Sequence, residues 1–211
     1  MVVGTGINIL MTTLGAYVIS RKNFFWKKPI NIMILITMFF HGGMIPSYLL
    51  VKSLGLLNSV WAVLLPTAIS TWNLFIMRTA FYGIPDSLEE AAKIDGANDI
   101  CILFRIIVPL IIPTMMVMVL FYAVSHWNAW FNAMLYLNRR KDLHPLQLFL
   151  REILIANSTQ NLMETSGAEV EDISQTIKYA TIMVSTLPII FVYPFVQKYF
   201  VKGVMIGAIK E

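Results

Sequence analysis

The chain has 211 residues, 57% hydrophobic and 13% charged, where a soluble domain carries roughly 45–50% and about 25%. With a mean hydropathy of +0.70, so few charges cannot cover the apolar surface that a soluble globule of this size leaves outside, and disorder, collagen and coiled coil are excluded by the same composition. The remaining solvent is lipid, which makes this an integral membrane protein. The net charge of +4 sits in short Lys and Arg clusters beside apolar runs, a pattern of membrane orientation rather than of nucleic-acid binding. A single cysteine, Cys101, excludes an intrachain disulfide framework and a cysteine-based metal site.

A spanning helix needs about 20 mostly apolar residues, and five segments approach that length. Val2 to Ser20 comes first, diluted by Gly4, Thr5, Gly6, Asn8, Thr12, Thr13 and Gly15. The second, about Pro29 to Val51, is interrupted by His41-Gly42-Gly43 and Pro46. The third, about Leu57 to Phe81, contains Pro66 and Asn73. Pro109 to Leu137 is long enough to span with tilt or a kink. The last, Ile177 to Phe200, carries Pro188 and Pro194. Small and helix-breaking residues at this frequency are tolerated where neighbouring helices re-satisfy the freed backbone. They point to an all-α polytopic bundle that moves rather than a single anchor.

Orientation follows from the basic residues. With the loop after the first span inside, the cytoplasmic side holds Arg21, Lys22, Lys27, Lys28, Arg78, Lys93, Arg105, Lys198, Lys202 and Lys210. Lys52, Arg139, Arg140, Lys141, Arg151 and Lys178 then face out. Ten against six favours this choice, although the Arg139-Arg140-Lys141 cluster opposes it. The N-terminus is then external with no signal peptide to send it there, so an earlier span is expected to be missing.

Between the third and fourth spans the cytoplasmic loop runs Tyr82-Gly83-Ile84-Pro85-Asp86-Ser87-Leu88-Glu89-Glu90-Ala91-Ala92-Lys93-Ile94-Asp95-Gly96-Ala97-Asn98-Asp99. It predicts a short amphipathic helix, a break, and a second helix leading back into the membrane. Ser87 and Glu90 have the spacing of a capping box, and Glu89 stands four residues before Lys93. Gly96 suits the left-handed conformation that ends a helix, with Asn98 or Asp99 to cap the next. Two well-capped surface helices would satisfy all of this. It leaves unexplained why Leu88, Ala91, Ala92 and Ile94 sit among the charges, and a docking element for a partner's groove is the competing explanation.

Glu90-Ala91-Ala92, Gly96 four residues on, and Ile106-Ile107-Val108-Pro109 together resemble the "EAA" loop of ABC-importer permeases, E-A-A-x-x-x-G followed by I-x-L-P, with Val108 in place of the usual Leu. Asp95-Gly96-Ala97, Ala16-Tyr17 with Ser20-Arg21, Gly42-Gly43 with Pro46, and Gly203 with Gly207-Ala208 are similar to the MalG-like carbohydrate group. Phe121 to Asn128 and Pro145-Leu146-Gln147 resemble a branch of it associated with complex oligosaccharides. The resemblance covers essentially the whole chain. It implies a transmembrane type-1 permease domain over residues 1–197, N-terminally incomplete, and a cytoplasmic tail over 198–211. Six spans are usual in the family, and the first and part of the second are expected to be absent here.

The resemblance further implies a multi-pass subunit of the bacterial plasma membrane, paired with a second permease chain and served by an extracellular solute-binding protein. Its loop helix would dock in a cleft of a separate ATP-binding-cassette ATPase. The matching coupling residues are Glu90 as charged contact, Ala91 and Ala92 as close-packing surface and Gly96 as the bend, supported by Glu89 and Asp95. Glu90 would compete between this role and the capping box.

No G-x-x-x-x-G-K-[ST] phosphate loop occurs, so ATP hydrolysis is expected on a partner and no cofactor is assigned. His41, His126 and His144 are too widely spaced for a metal site. Polar residues within spans mark pathways by default, which nominates Asn73, Tyr122, Trp127 and Asn128 for a carbohydrate path. Interfacial anchoring and helix-to-helix bonding are the competing roles of those residues. The outer loop from Asn138 to Gln175, with Arg139, Arg140, Lys141, Arg151, Glu164, Glu169, Glu171 and Asp172, is a solvated connector or a binding-protein contact. A gradient-driven secondary transporter is the alternative function. It would want acidic residues at mid-membrane depth and two similar halves, and the spans contain no Asp or Glu. A non-transporting scaffold would leave the loop motif without a purpose.

Overall fold

The computed structural model describes residues 1–22, 24–163, 175–191, 193–194 and 197. The expected tail at 198–211, with Gly203, Gly207 and Ala208, lies outside them, as do Glu164, Glu169, Glu171 and Asp172 of the outer loop. Every regular element among the described residues is helical. Val2–Ser20 (α1) is the helix there that is long and apolar enough to cross a membrane unaided. It packs most extensively on Thr71–Tyr82 (α5) and Ile112–Trp127 (α8), which makes it the axis of the bundle.

The other expected spans are broken, and each break has a local cause. The second divides into Lys27–Phe39 (α2) and Met44–Ser53 (α3), turned by 116° from one another. Gly43 makes the turn with φ +87, a conformation that costs glycine nothing and other residues much. The third divides into Val60–Leu64 (α4) and α5. Pro66 has no amide proton to extend α4, and Ser70 starts α5 by accepting a hydrogen bond from the Asn73 amide at 3.5 Å.

The expected fourth span is bent near its start, just after Pro109. Asp86–Ile94 (α6) is followed by a second helix, Asp99–Leu110 (α7), bent 87° from α8 at Ile111. Within α7 the hydrogen bonding widens to a π turn over Ile102–Ile107. Pro109 cannot donate to the carbonyl one turn back, and the wider turn accommodates its ring. The fourth span breaks again at Asn128 and Ala129 before Trp130–Tyr136 (α9). Leu146–Met163 (α10) and a helix over 175–191 (α11) follow, the latter overlapping the first part of the expected fifth span, whose end at 198–200 lies outside the described residues.

One apolar core joins these elements. Ala16, Tyr17 and Ile19 of α1 meet Leu74, Met77 and Phe81 of α5, Ala92 of α6, Ile102, Leu103 and Ile107 of α7, and Met118 of α8. Tyr17 and Phe81 meet edge to face, with ring centroids 6.0 Å apart, a favoured aromatic geometry. At the opposite end Tyr136 of α9 stacks on Tyr48 of α3 at 6.2 Å, and the Asn58 amide donates to the Tyr136 carbonyl at 2.9 Å. The segments bearing Lys52 and Arg139 therefore share one end, as the charge count expects. By contrast α2 buries none of its residues, and Ile32, Met33 and Phe39 lie exposed. That is a surface for lipid or another helix, not for water.

Candidate functional site

Gly83 closes α5 by donating to the carbonyls of Thr79 and Ala80 at 3.3 and 3.2 Å, and the chain then enters α6 through Pro85. Asp86 and Glu89 fall in the first turn and Lys93 in the last, each sign where the helix dipole favours it. The expected capping box does not form. Pro85 is the N-cap residue and no side chain caps the helix, so Ser87 already lies inside the first turn, where its hydroxyl cannot bond to the Glu90 amide. Glu90 is thereby released from that competing role.

The end of α6 follows the sequence expectation closely. Gly96 has φ +80, its amide donates to the Lys93 carbonyl at 3.0 Å, and the Ala97 amide donates to the Ala92 carbonyl at 3.0 Å. This is the paired bonding of a Schellman motif. Asn98 caps α7, its Oδ1 accepting from the Cys101 amide at 2.8 Å.

Around its circumference α6 is sharply divided. Ala92 is buried in the core. Glu89, only 14% exposed, pairs with Arg21 at the end of α1 and with Lys93 at 3.0 Å, and Asp86 pairs with Lys22. The hydrogen bond from Lys22 holds the Asp86 carboxyl below its ordinary range and lifts the Lys22 ammonium above its own, so both stay charged at neutral pH. The other side of α6 has no cover. Leu88 and Ala91 are exposed and Ile94 is 86% exposed, while Glu90, exposed at the edge of the side facing α1, makes no hydrogen bond or ion pair among the described residues. Between α6 and the end of α1 lies a cavity of about 850 Å³ lined by Tyr17, Arg21, Phe81, Glu89, Glu90 and Lys93 among others.

A second constellation lies deeper in the bundle. Asn8 is nearly fully buried, its Nδ2 donating to the Thr67 carbonyl at 2.5 Å and its Oδ1 lying 2.6 Å from His126 Nε2. One turn along, Thr12 shares a 2.6 Å hydrogen bond with the Tyr122 hydroxyl, which also accepts from the Ser70 amide at 3.2 Å. These bonds join α1, the break between α4 and α5, and α8. Of the four expected pathway residues only Tyr122 belongs to this cluster. Asn73 is buried in α5, the Trp127 indole donates to the Ser185 carbonyl of α11 at 3.1 Å, and Asn128 ends α8 with its amide bonded to the Val124 carbonyl at 3.1 Å.

Asn8, Thr12, Thr67 and Ser70 are not among the expected site residues, whereas His126 lies in the polar run of the fourth span. A signal for two of them was present: Gly4, Asn8, Thr12, Ala16 and Ser20 recur every four residues, and all are buried. Such a stripe marks the packed face of a helix in lipid.

An apolar helical bundle with interrupted spans, a small buried polar cluster and a half-exposed charged helix at one end is the arrangement of a polytopic membrane protein. Residues 5–206 match the model of the binding-protein-dependent transport system inner membrane component, and the chain belongs to that family of ABC-importer permeases. It is 47% identical over 99% of its length to the polygalacturonan/rhamnogalacturonan transport system permease protein YtcP of Bacillus subtilis (strain 168), 73% of which is covered. Protein LplC of the same organism is 42% identical, with 99% of this chain and 70% of that protein covered. Among solved structures, a chain of a bacterial ABC transporter involved in the import of the acidic polysaccharide alginate superimposes with a TM-score of 0.82 at 34% identity. That match covers 94% of this chain and 71% of the other.

Proposed function

We propose that this chain is the permease subunit through which an oligosaccharide enters a bacterial cell across the plasma membrane. In this reading ATP hydrolysis resides on a separate ATP-binding-cassette subunit docked against α6. A second permease chain completes the pathway, and a solute-binding protein delivers the sugar to the outer end. Residues 1–197 are the transmembrane unit and 198–211 a cytoplasmic tail.

The observation that carries the docking reading is the two-sided character of α6. Ala92 and Glu89 are spent on holding the helix to the bundle, while Leu88, Ala91 and Ile94 face outward and Glu90, exposed beside the cavity toward α1, has no hydrogen-bond or ion-pair partner among the described residues. Apolar and acidic side chains together on a short helix suit a groove with an apolar floor and a basic rim. Gly96 sets the angle at which that face is presented, with Asp95 exposed beside it.

The carbohydrate class is supported by relatives named for polygalacturonan and rhamnogalacturonan and by a structural relative that imports an acidic polysaccharide. An acidic sugar also gives the Arg139-Arg140-Lys141 cluster a role. With Lys52 it forms a cationic outer end, in which Asp142 offsets Arg140 through a 2.8 Å pair, and such a surface steers anions. Asn73, Tyr122, Trp127 and Asn128 are the proposed pathway contacts.

Affinity purification from native membranes in mild detergent tests this. An ATPase and a second permease are expected to come with the chain, and the ATPase to be lost from a Gly96→Pro variant, because proline cannot take a positive φ. Recovery of the properly inserted chain alone would overturn the reading. In vesicles, galacturonate oligomers are expected to raise the complex's ATP hydrolysis when the binding protein is present, and a response confined to neutral oligomers would remove the acidic class.

A further inference from the structure

The attachment of α6 to the bundle is mostly electrostatic, and it is made to α1. Ala92 is the one residue of α6 that enters the core, and a methyl group anchors little apolar area. Of the two ion pairs to α1, Lys22–Asp86 stands in solvent, with 77% and 52% of its side chains exposed, where such pairs contribute little. Arg21–Glu89 is different, at 22% and 14% exposed.

Arg21 is held from several sides. Its guanidinium lies over the Tyr17 ring, 4.4 Å from the centroid, and its Nε and one terminal nitrogen donate to Ser20 Oγ at 3.3 and 3.2 Å. Tyr17 in turn is packed on Phe81. Glu89 is steadied by Lys93, which also reaches Asp99 of α7 at 3.6 Å. Force applied to α6 therefore meets a fixed guanidinium on a rigid helix. The same helix, about two and a half and three and a half turns back from Arg21, holds Tyr122 and His126 of α8 through Thr12 and Asn8.

We propose that the Arg21–Glu89 pair is the clasp through which movement of α6 is delivered to α1, and through α1 to the polar cluster in the membrane. Arg21 and Glu89 are positioning residues in this account, and neither contacts substrate or nucleotide. The chain connection through Gly96 carries movement of α6 into α7 directly, and the clasp adds a second route into the central helix. The inference rests on the proposed docking of an ATPase at α6.

The test uses the whole importer complex in lipid, with Cys101 replaced by Ser and spin labels on cysteines introduced at exposed sites. One pair, Ser87 and Leu54, reports α6 against the outer end. The other, Val18 and Leu54, reports the end of α1. On trapping with ATP and vanadate, both distances are expected to change in the parent complex. In Arg21→Gln and in Glu89→Gln the Ser87 change is expected to persist while the Val18 change is lost, and the double variant to lose no more than either single one. Persistence of the Val18 change in the single variants, or additive loss in the double, overturns the clasp while leaving the docking reading intact. A parent complex in which Ser87 does not respond to ATP overturns the docking reading and the clasp with it.

Discussion

Along α1, Asn8 and Thr12 hold His126 and Tyr122 through neutral hydrogen bonds in the bundle interior, whereas at the far end Arg21 and Lys22 hold Glu89 and Asp86 through ion pairs at the water boundary. In the first set Asn8, Thr12 and Tyr122 are nearly fully buried and His126 is partly so, and the buried groups have little alternative to the bonds they make, so losing a partner leaves a desolvated polar group behind. In the second set Lys22–Asp86 lies where water and ions readily replace a lost partner and contributes little to stability, while Arg21–Glu89 is more shielded but still reached by water on one side. The difference separates two tasks. The inner contacts keep α1 and α8 in register, and the outer ones allow a helix to be gripped and moved without unfolding what lies behind it.

Substitutions can break this contrast, beginning with the interior. A Cβ at Gly4 would lie 2.6 Å from His126 Nε2 and 2.8 Å from Leu64 Cδ2. Gly4→Val is therefore expected to cost about 1–3 kcal/mol or more by overpacking, read as a lowered unfolding temperature of the detergent-solubilised protein. Tyr122→Phe removes the partner of Thr12 and of the Ser70 amide and is expected to cost about 1–3 kcal/mol in the same assay. If either variant matches the parent in stability, the interior cluster does not hold the bundle.

Substitutions at the outer end sharpen the contrast. Gly96→Ala forces a side chain into a left-handed backbone with open space around it, a penalty of about 1–2 kcal/mol. It is expected to reduce co-purification of the ATPase more than it reduces insertion of the chain. Ser87→Ala separates the capping box from the observed start of α6. A working cap would cost about 1 kcal/mol on removal, and the observed geometry predicts a change within about 0.5 kcal/mol.

The smallest effect concerns pH. Asp86 is held below its ordinary carboxyl pKa by Lys22, so its contribution is present above that ordinary value and is lost as pH falls through the lowered one. Lys22 is raised by the same bond, so its contribution is lost only on the strongly alkaline side. The Lys22–Asp86 contact is expected to leave stability flat across neutral pH, and a stability step near neutrality assigned to either residue would contradict this.

What could be read from sequence divides along the same line. The end of α6, the Gly96 turn, the Asn98 cap and the Glu89–Lys93 pair each depend on residues within five positions, and local spacing specifies them. The capping box failed for a local reason as well, since Pro85 begins the helix early enough that Ser87 falls within it. Interruption of the second span at Gly42-Gly43 was legible, but the 116° turn it produces was not, because a glycine permits a bend without dictating its angle. The interior cluster joins residues 110 and 118 positions apart, and no spacing rule reaches that far. Its α1 half was visible as a four-residue stripe of small and polar side chains. Its α8 half lies in the polar run from Tyr122 to Asn128, where nothing local distinguishes the side chain that meets Asn8 from its neighbours.

The central claim, that α6 presents one face to an ATPase and buries the other, is tested most directly by site-specific crosslinking at two adjacent alanines. With Cys101 replaced by Ser, a maleimide crosslinker on Ala91→Cys in the intact complex is expected to capture the ATPase subunit. The same reagent on Ala92→Cys, buried against the core, is expected to capture nothing. Equal capture from both positions, or capture from Ala92→Cys alone, would contradict the account.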